Sequence, residues 1–234
     1  MPQSKSINEY ASESIQNYLK AIYHLNANGH VASGQEIACA VKVSAPGVTK
    51  MLQHLAANEL IVYRPYQPVS LTELGEKIAL EVIRHHRLLE LYLMENLGYG
   101  WEQVHAEAER LEHHISEDFE NSIERLLGFP QFDPHGDPIP SRDGKMPPIP
   151  KQTLFSQIEG STVVVRRVAD EDPALLIYLA ERGLRPNVVV VIESREPFGG
   201  SLTLKVGDRH ERISPDAARF VFVEPAVLGS KSEK

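Results

Sequence analysis

The amino-acid sequence predicts a mainly α-helical chain with a smaller β component toward its C-terminal end. Apolar residues recur with helical spacing through most of the first 127 positions. Prolines are concentrated between positions 130 and 150, and beyond them short β-branched runs alternate with turn residues. Together these observations predict a domain over residues 1–76, a helical domain over 77–134, a proline-rich linker over 135–152 and a β-rich domain over 153–234.

The first segment predicts three helices followed by a hairpin. The first helix has apolar residues at helical spacing and is expected to end at Asn28–Gly29. A capping box at Ser33–Glu36 opens the second helix, and Ser44 caps the third, with Pro46 in its first turn. The stretch LIVYRPYQPVSLT predicts two short strands around a turn. This order of elements is that of a winged helix-turn-helix, which binds DNA.

The later segments differ from one another in secondary structure. Thr72 is expected to cap a helix over about 73–97, and a second long helix is expected over about 101–127. The β-rich segment contains the runs VVVRRV, VVVVIES, LTLKV, HERIS and ARFVFV, with one helix near 173–183. Five short strands of this kind predict a small SH3-like barrel.

Negative charge and histidine are concentrated in one part of the chain. The formal net charge is −8, and residues 79–135 carry all of that excess together with six of the ten histidines. This composition favours cation binding, although a solvated acidic surface has the same composition.

Composition also argues against several classes of protein. No apolar run approaches the roughly 18 residues of a membrane helix, and the N-terminal stretch lacks a secretory signal, so we expect a cytoplasmic protein. Cys39 is the sole cysteine and lies in the apolar stretch EIACAV, which predicts a small buried hydrophobic residue. Disulfides and thiolate metal sites are therefore not expected.

Imidazole and carboxylate groups share helical faces in the second segment. Four of them recur at i, i+4, i+7 and i+8 of the predicted 101–127 helix, beside an apolar stripe: His105, Glu109, Glu112 and His113. On the preceding helix, His86 and Glu90 are also one turn apart. Taken alone, such a pair is more often a solvated ion pair than a metal site. Together the two faces could form an all-N/O site suited to Mn²⁺, Fe²⁺ or Zn²⁺.

Five motifs resemble the diphtheria-toxin-repressor family of metal-dependent repressors. They are NYLKAIYHL, SAPGVTKMLQHL, HHRLLELYL, VHAEAERLEHHISE and PHGDPIP, and LEHHIS followed by PHGDPIP is highly specific. The resemblance extends through nearly the whole chain. It implies a winged helix, a helical dimerisation domain, a FeoA-type SH3-like domain and two metal ions per subunit.

The resemblance also implies which residues bind those ions. The regulatory site would consist of Asn17, Glu109, Glu112 and His113. The neighbouring site would consist of His86, Glu90, His105 and either Asp172 or Glu171. Asp172 precedes Pro173 and is equally suited to cap the helix that follows.

Two departures from the family pattern bear on the choice of metal. Glu109 stands where the iron-sensing branch has Cys, and a carboxylate in place of a thiol favours Mn²⁺. Asn17 stands where the manganese-sensing branch usually has Asp, and a neutral amide oxygen is the weaker ligand. The sequence thus predicts Mn²⁺ as the activating ion, with Fe²⁺ as the alternative.

The function implied is that of a homodimeric regulator, expected to be a repressor of metal-homeostasis genes, that binds double-stranded operator DNA. Its expected DNA contacts are Lys42, Ser44, Pro46, Thr49, Lys50, Gln53 and Arg64. Two other classes stay open: a winged-helix regulator that senses an organic ligand, and a His/Glu metallohydrolase. The sequence has no H-E-x-x-H, nucleophile or phosphate-loop motif, which argues against an enzyme.

Overall fold

The computed structural model describes residues 12–27, 29 and 31–226, so Asn28, the predicted end of the first helix, lies outside the described residues. The chain divides into two compact units. Of the described residues, the first unit contains those up to 89 together with 109–129 and 140–146, and the second contains 90–108, 130–139 and those from 147 onward.

The N-terminal part of the first unit is a winged helix-turn-helix. Its elements are α1 (Glu13–Ala27), α2 (Gly34–Ala40), α3 (Ala45–Ala57), β1 (Ile61–Val62) and β2 (Ser70–Leu71). The two strands pair antiparallel, with Ile61 opposite Leu71. All three helices contribute to one apolar core, in which Leu19, Ile37 and Leu55 are fully buried. The predicted order of three helices and a hairpin is confirmed.

Local capping explains where α2 and α3 begin. The Ser33 hydroxyl accepts a hydrogen bond from the Glu36 backbone while the Glu36 carboxylate accepts one from the Ser33 backbone, which confirms the predicted capping box. Ser44 is the N-cap residue of α3, with proline in the first turn, although its hydroxyl makes no capping hydrogen bond.

Cys39 is exposed, so the expectation of a buried cysteine is wrong. The short helix α2 buries Ile37 against the core. Two residues further along a helix the side chain has rotated by about 200°, which turns Cys39 to the opposite face.

The helical part of the chain continues with α4 (Glu73–Leu97), α5 (Val104–Leu111) and α6 (Glu117–Leu126). Thr72 caps α4, because its hydroxyl accepts a hydrogen bond from the Gly75 backbone at 3.1 Å. Although α4 has 25 residues, none of the helices in the described ranges is both long and apolar enough to span a bilayer.

A single helix over 101–127 is wrong, because the chain turns at residues 112–114. Ser116 then starts α6 by accepting a hydrogen bond from the Phe119 backbone. The apolar stripe predicted for the long helix ends at the same break. Val104 and Ala108 are buried on α5, whereas Phe119 on α6 is exposed.

The second unit has its own core, formed around an antiparallel sheet. The strands are β3 (Thr162–Val168), β4 (Val189–Arg195), β5 (Leu202–Val206), β6 (Arg209–Ile213) and β7 (Val221–Pro225), and the helices are α7 (Pro173–Glu181) and α8 (Pro215–Ala218). The strand order is β6-β5-β4-β3-β7. The SH3-like architecture is confirmed, but the sheet is open, since β6 and β7 are its two edges rather than a closing pair.

Residues 133–139 are buried, although the sequence predicts a linker from residue 135. The Asp133 carboxylate accepts hydrogen bonds from the backbones of His135 at 2.8 Å and Asp137 at 2.9 Å. Gly136 has a φ of +90°, and a Cβ there would lie 1.9 Å from the carbonyl oxygen of Arg166. Glycine is therefore required at this turn, and the PHGD segment has a fixed conformation.

Candidate metal sites and DNA-binding surface

The four predicted regulatory residues lie together in the first unit, around Glu112. Glu109 is near the end of α5, Glu112 and His113 are in the turn that follows, and Asn17 is on α1. His113 Nε2 lies 2.9 Å from Asn17 Oδ1 and 3.3 Å from Glu112 Oε1. The Glu112 side chain is fully buried, whereas that of Glu109 is 48% exposed.

His86 of α4 also lies in this cluster. Its Nδ1 is 2.5 Å from Glu112 Oε2 and 3.7 Å from Glu109 Oε2. One ligand atom from each of these three residues lies within 4.8 Å of the other two, a spacing that allows them to share one cation. The assignment of His86 to the neighbouring site stays a prediction, and its Nδ1 faces Glu112 of the regulatory cluster.

Lys20, which sequence reasoning missed, lies between the two glutamates. Its ammonium donates hydrogen bonds of 2.8 Å to Glu109 Oε2 and to both carboxylate oxygens of Glu112. Burial opposes protonation of Lys20, but the two carboxylates outweigh it and raise the pKa. The available signal was its position three residues after Asn17 in NYLKAIYHL, which puts both side chains on one face of α1.

Gln16 and His85 support this cluster from behind. His113 Nδ1 lies 2.5 Å from Gln16 Oε1, and its Nε2 faces Asn17 and Glu112. Burial lowers the pKa of His113, which favours the neutral ring that binds metals. His85 contacts the backbone carbonyl of Glu112 through Nδ1 at 3.1 Å.

A second cluster lies in the second unit, where Glu90 of α4, His105 of α5 and Asp170 meet. His105 Nδ1 is 3.2 Å from Glu90 Oε1 and 3.2 Å from Asp170 Oδ2. Burial opposes protonation of His105, but hydrogen bonds to Asp170 and Glu90 raise its pKa to about 10. Likewise, burial opposes ionisation of Asp170, but its bond to His105 lowers its pKa to about 2. An ionised Asp170 carboxylate in this buried cluster requires positive charge beside it.

Asp172 and Glu171, the alternatives predicted from the sequence, occupy different places from Asp170. The Asp172 carboxylate accepts a hydrogen bond from the Ala174 backbone at 2.9 Å and so caps α7. Both Asp172 and Glu171 are exposed. The sequence left two roles open for Asp172, helix cap and metal ligand, and the structure has the geometry of the cap.

The PHGD segment and the residue before it add two residues that sequence reasoning missed, His135 and Asp133. His135 is fully buried, and its Nε2 lies 3.0 Å from the carbonyl oxygen of Trp101, to which it can donate. Its Nδ1 has no hydrogen-bond partner among the described residues and lies 3.7 Å from Glu90 Oε2. Glu90, Asp133 and His135 offer ligand atoms within 4.8 Å of one another. A buried ring nitrogen that faces carboxylates is suited to a divalent cation.

The residues predicted to contact DNA are all exposed: Lys42, Ser44, Pro46, Thr49, Lys50, Gln53 and Arg64. The helix α3 buries Val48, Leu52 and Leu55 against the core and therefore presents its polar side chains outward. Tyr66, which was not predicted, is fully exposed in the turn between β1 and β2. The geometry is that of a recognition helix followed by a wing.

Three family models match successive parts of the chain. Residues 11–69 match the iron dependent repressor N-terminal DNA binding domain, and residues 72–141 match the iron dependent repressor metal binding and dimerisation domain. Residues 156–225 match the FeoA domain. The chain belongs to the iron-dependent repressor family.

Individual relatives of this repressor agree with the family assignment. The iron-dependent repressor IdeR of Mycobacterium tuberculosis is 33% identical over 88% of this chain and 95% of its own length. A solved manganese-dependent transcriptional repressor in complex with manganese is 35% identical, with 91% of this chain and 100% of its own covered, and a TM-score of 0.82. ScaR with bound Cd²⁺ is 32% identical over 91% of this chain and 99% of its own, with a TM-score of 0.76.

These similarities confirm the resemblance drawn from the motifs. The family consists of metal-dependent transcriptional regulators, and this repressor has the family's DNA-binding, metal-binding and FeoA domains. Its function is that of a metal-dependent, DNA-binding transcriptional repressor of metal homeostasis.

Proposed function

We propose that Mn²⁺, with Fe²⁺ as the alternative, activates this repressor at two sites in each subunit of a homodimer. The regulatory site would consist of Asn17, His86, Glu109, Glu112 and His113. The second site would consist of Glu90, His105, Asp133, His135 and Asp170. The observation that carries the proposal is the fully buried Glu112 carboxylate, which lies beside His86 of α4, Lys20 of α1 and His113.

The donor set supports a hard divalent cation. Both clusters offer only carboxylate and amide oxygens and imidazole nitrogens, which suit Mn²⁺ and Fe²⁺ better than thiophilic ions. Cys39 is on the exposed face of α2 and is not part of either cluster. The named ions of the relatives, iron for IdeR and manganese for the solved repressor, are the two candidates.

Activation would follow from the position of α1. A bound divalent cation supplies positive charge that α1 and the turn after α5 can share. Because α1 packs in the same core as α3, holding Asn17 near Glu112 and His113 also holds the recognition helix. In a homodimer this fixes the separation of the two α3 helices, which must be about 34 Å to enter successive major grooves of double-stranded operator DNA.

On the DNA itself, the exposed residues of α3 and the wing divide by chemistry. Lys50 and Gln53 can hydrogen-bond base edges, and Pro46 can contact a thymine methyl group. Lys42, Ser44 and Arg64 are suited to phosphates, which set the register on the duplex. Thr49 lies on the same exposed face, although its hydroxyl bonds to the Ala45 carbonyl at 3.3 Å.

Glu112→Gln tests the regulatory site. We expect it to abolish Mn²⁺-dependent operator binding, because it removes the buried negative charge at the centre of the regulatory site. The size of the side chain is kept. The loss should equal the full activation by metal, which is about 5- to 150-fold in typical allostery. The measurement is fluorescence anisotropy of an operator duplex, selected from random DNA by the Mn²⁺-loaded protein, with and without chelator.

Glu181→Gln, on the exposed side of α7, is the matched control and should behave as wild type. Full Mn²⁺ activation of Glu112→Gln would contradict the assignment. Wild-type operator binding that ignores both chelator and added metal would instead favour a regulator that senses an organic ligand.

A further inference from the structure

The Lys20 ammonium lies where the regulatory ligands converge. Its Nζ is 2.8 Å from Glu109 Oε2, 2.8 Å from each carboxylate oxygen of Glu112 and 3.5 Å from His86 Nδ1. A transition-metal ion bonded to the same oxygens would stand about 2.1 Å from them. The ammonium and the ion would therefore overlap, so only one of them can be bound at a time.

We propose that Lys20 is a counter-ion that neutralises Glu109 and Glu112 until a divalent cation displaces it. Because the cation must displace the Lys20 ammonium, this side chain sets the metal concentration needed for activation. This inference rests on the proposed function of the regulatory site. The inference goes further by identifying Lys20 as the side chain that competes with the metal ion.

The burial of Glu112 explains why a counter-ion is needed. A fully buried carboxylate without a compensating charge strongly destabilises the folded state. Lys20 supplies that charge from α1, and its side chain is 14% exposed. The ammonium can therefore move to solvent on its four-carbon stem when the ion takes its place.

The exchange also changes which residue links α1 to the turn after α5. With Lys20 in the cluster, the link is its ion pair with the two glutamates. With the ammonium displaced, Asn17, one turn earlier on α1 and 2.9 Å from His113, becomes the link. Because each state has its own link, the position of α1 can differ between them, which is what a metal-controlled repressor requires.

The test is an Mn²⁺ titration of wild type and Lys20→Met, by calorimetry and by competition with a fluorescent chelator at pH 7. Lys20→Met keeps the length and apolar stem but removes the charge. We expect it to bind Mn²⁺ about tenfold more tightly, the lower end of the effect of an opposite charge at contact distance. Lys77→Met, which removes an exposed lysine of α4, is the matched control and should leave the affinity unchanged. Lys20→Arg, which keeps a competing cation, should show no gain.

A second readout separates competition from a structural role. In chelator, Lys20→Met should unfold at a lower temperature than wild type, because Glu112 has lost its counter-ion. Saturating Mn²⁺ should remove that difference, whereas a purely structural lysine would leave it in place with metal bound.

Unchanged or weaker Mn²⁺ binding by Lys20→Met would overturn the inference. If that variant does not fold without metal, Lys20→Gln keeps hydrogen-bond donors, and a wild-type affinity in Lys20→Gln would overturn it equally. Failure of the wild type to bind Mn²⁺ would instead refute the proposed function.

Discussion

Asp170 and Asp172 show how two neighbouring aspartates take different roles. Asp170 contacts His105 at 3.2 Å and is largely buried. Asp172 is exposed and caps α7, just before a proline in the first turn. The Asp172 carboxylate accepts a hydrogen bond from the Ala174 backbone at the start of α7, whereas that of Asp170 faces His105. We therefore propose Asp170 as the metal ligand, whereas Asp172 has the geometry of a helix cap.

Identical changes at these two positions should have different effects on metal binding. Asp170→Asn should weaken one of the two Mn²⁺ sites by about tenfold or more, because affinity depends on the number of charged ligands. Asp172→Asn should leave both sites and the stability intact, because asparagine caps a helix as well as aspartate. Calorimetric titration, with thermal unfolding in chelator, measures both. Loss of a site in Asp172→Asn would reverse the two roles.

At the scale of elements, the sequence predicts most of the fold because the signals are local. The Ser33–Glu36 capping box, the apolar spacing of α1 and α3 and the β-branched runs of the sheet each determine an element within a few residues. The break after α5 was missed because periodicity continued through it, while Ser116 competed by capping α6. A capping residue can thus start a new helix despite a continuous apolar period, when continuing the first helix would bury no more of its apolar stripe.

The site was only partly predictable, because its remaining residues depend on contacts distant in sequence. Lys20 contacts Glu109 and Glu112, which lie 89 and 92 positions further along the sequence. Asp170 and His135 approach Glu90 only through the fold of the second unit. By contrast, Glu109, Glu112 and His113 share one short segment, so their proximity could be predicted from spacing and from the family resemblance.

The helix α3 carries a prediction of its own. Lys50 is exposed on its outer face, so Lys50→Ala should weaken operator binding about tenfold, the effect of losing one good base contact. Mn²⁺ affinity should not change, since Lys50 is outside both clusters. Lys77→Ala on α4 is the control. Anisotropy at several salt concentrations gives a second check, because loss of a phosphate contact instead would reduce the salt slope by about one.

At the scale of the whole molecule, the charge distribution makes DNA binding depend on metal. The formal net charge is −8, and it lies in residues 79–135, which supply most of the proposed ligands. The segment that forms the winged helix is close to neutral. Nonspecific attraction to phosphates is therefore weak, and each bound divalent cation reduces the repulsion. Specific binding then requires the correct spacing of the two recognition helices as well.

Metal and DNA must consequently affect each other's binding by the same factor. If Mn²⁺ tightens operator binding by a given factor, operator DNA must tighten Mn²⁺ binding equally, because both follow from one coupling free energy, typically about 1–3 kcal/mol. We expect the regulatory site to carry this coupling, so that Glu112→Gln removes it in both directions while Asp170→Asn leaves most of it. The measurement is an Mn²⁺ titration of preformed dimer with and without selected operator duplex, compared with operator titrations with and without Mn²⁺. Loss of both factors in Glu112→Gln, with most of the coupling kept in Asp170→Asn, would support metal control through the regulatory site. If operator DNA leaves the Mn²⁺ affinity of the preformed dimer unchanged while Mn²⁺ still increases DNA binding, metal acts on assembly of the dimer. The reason is that a preformed dimer with two arrangements requires the two factors to match.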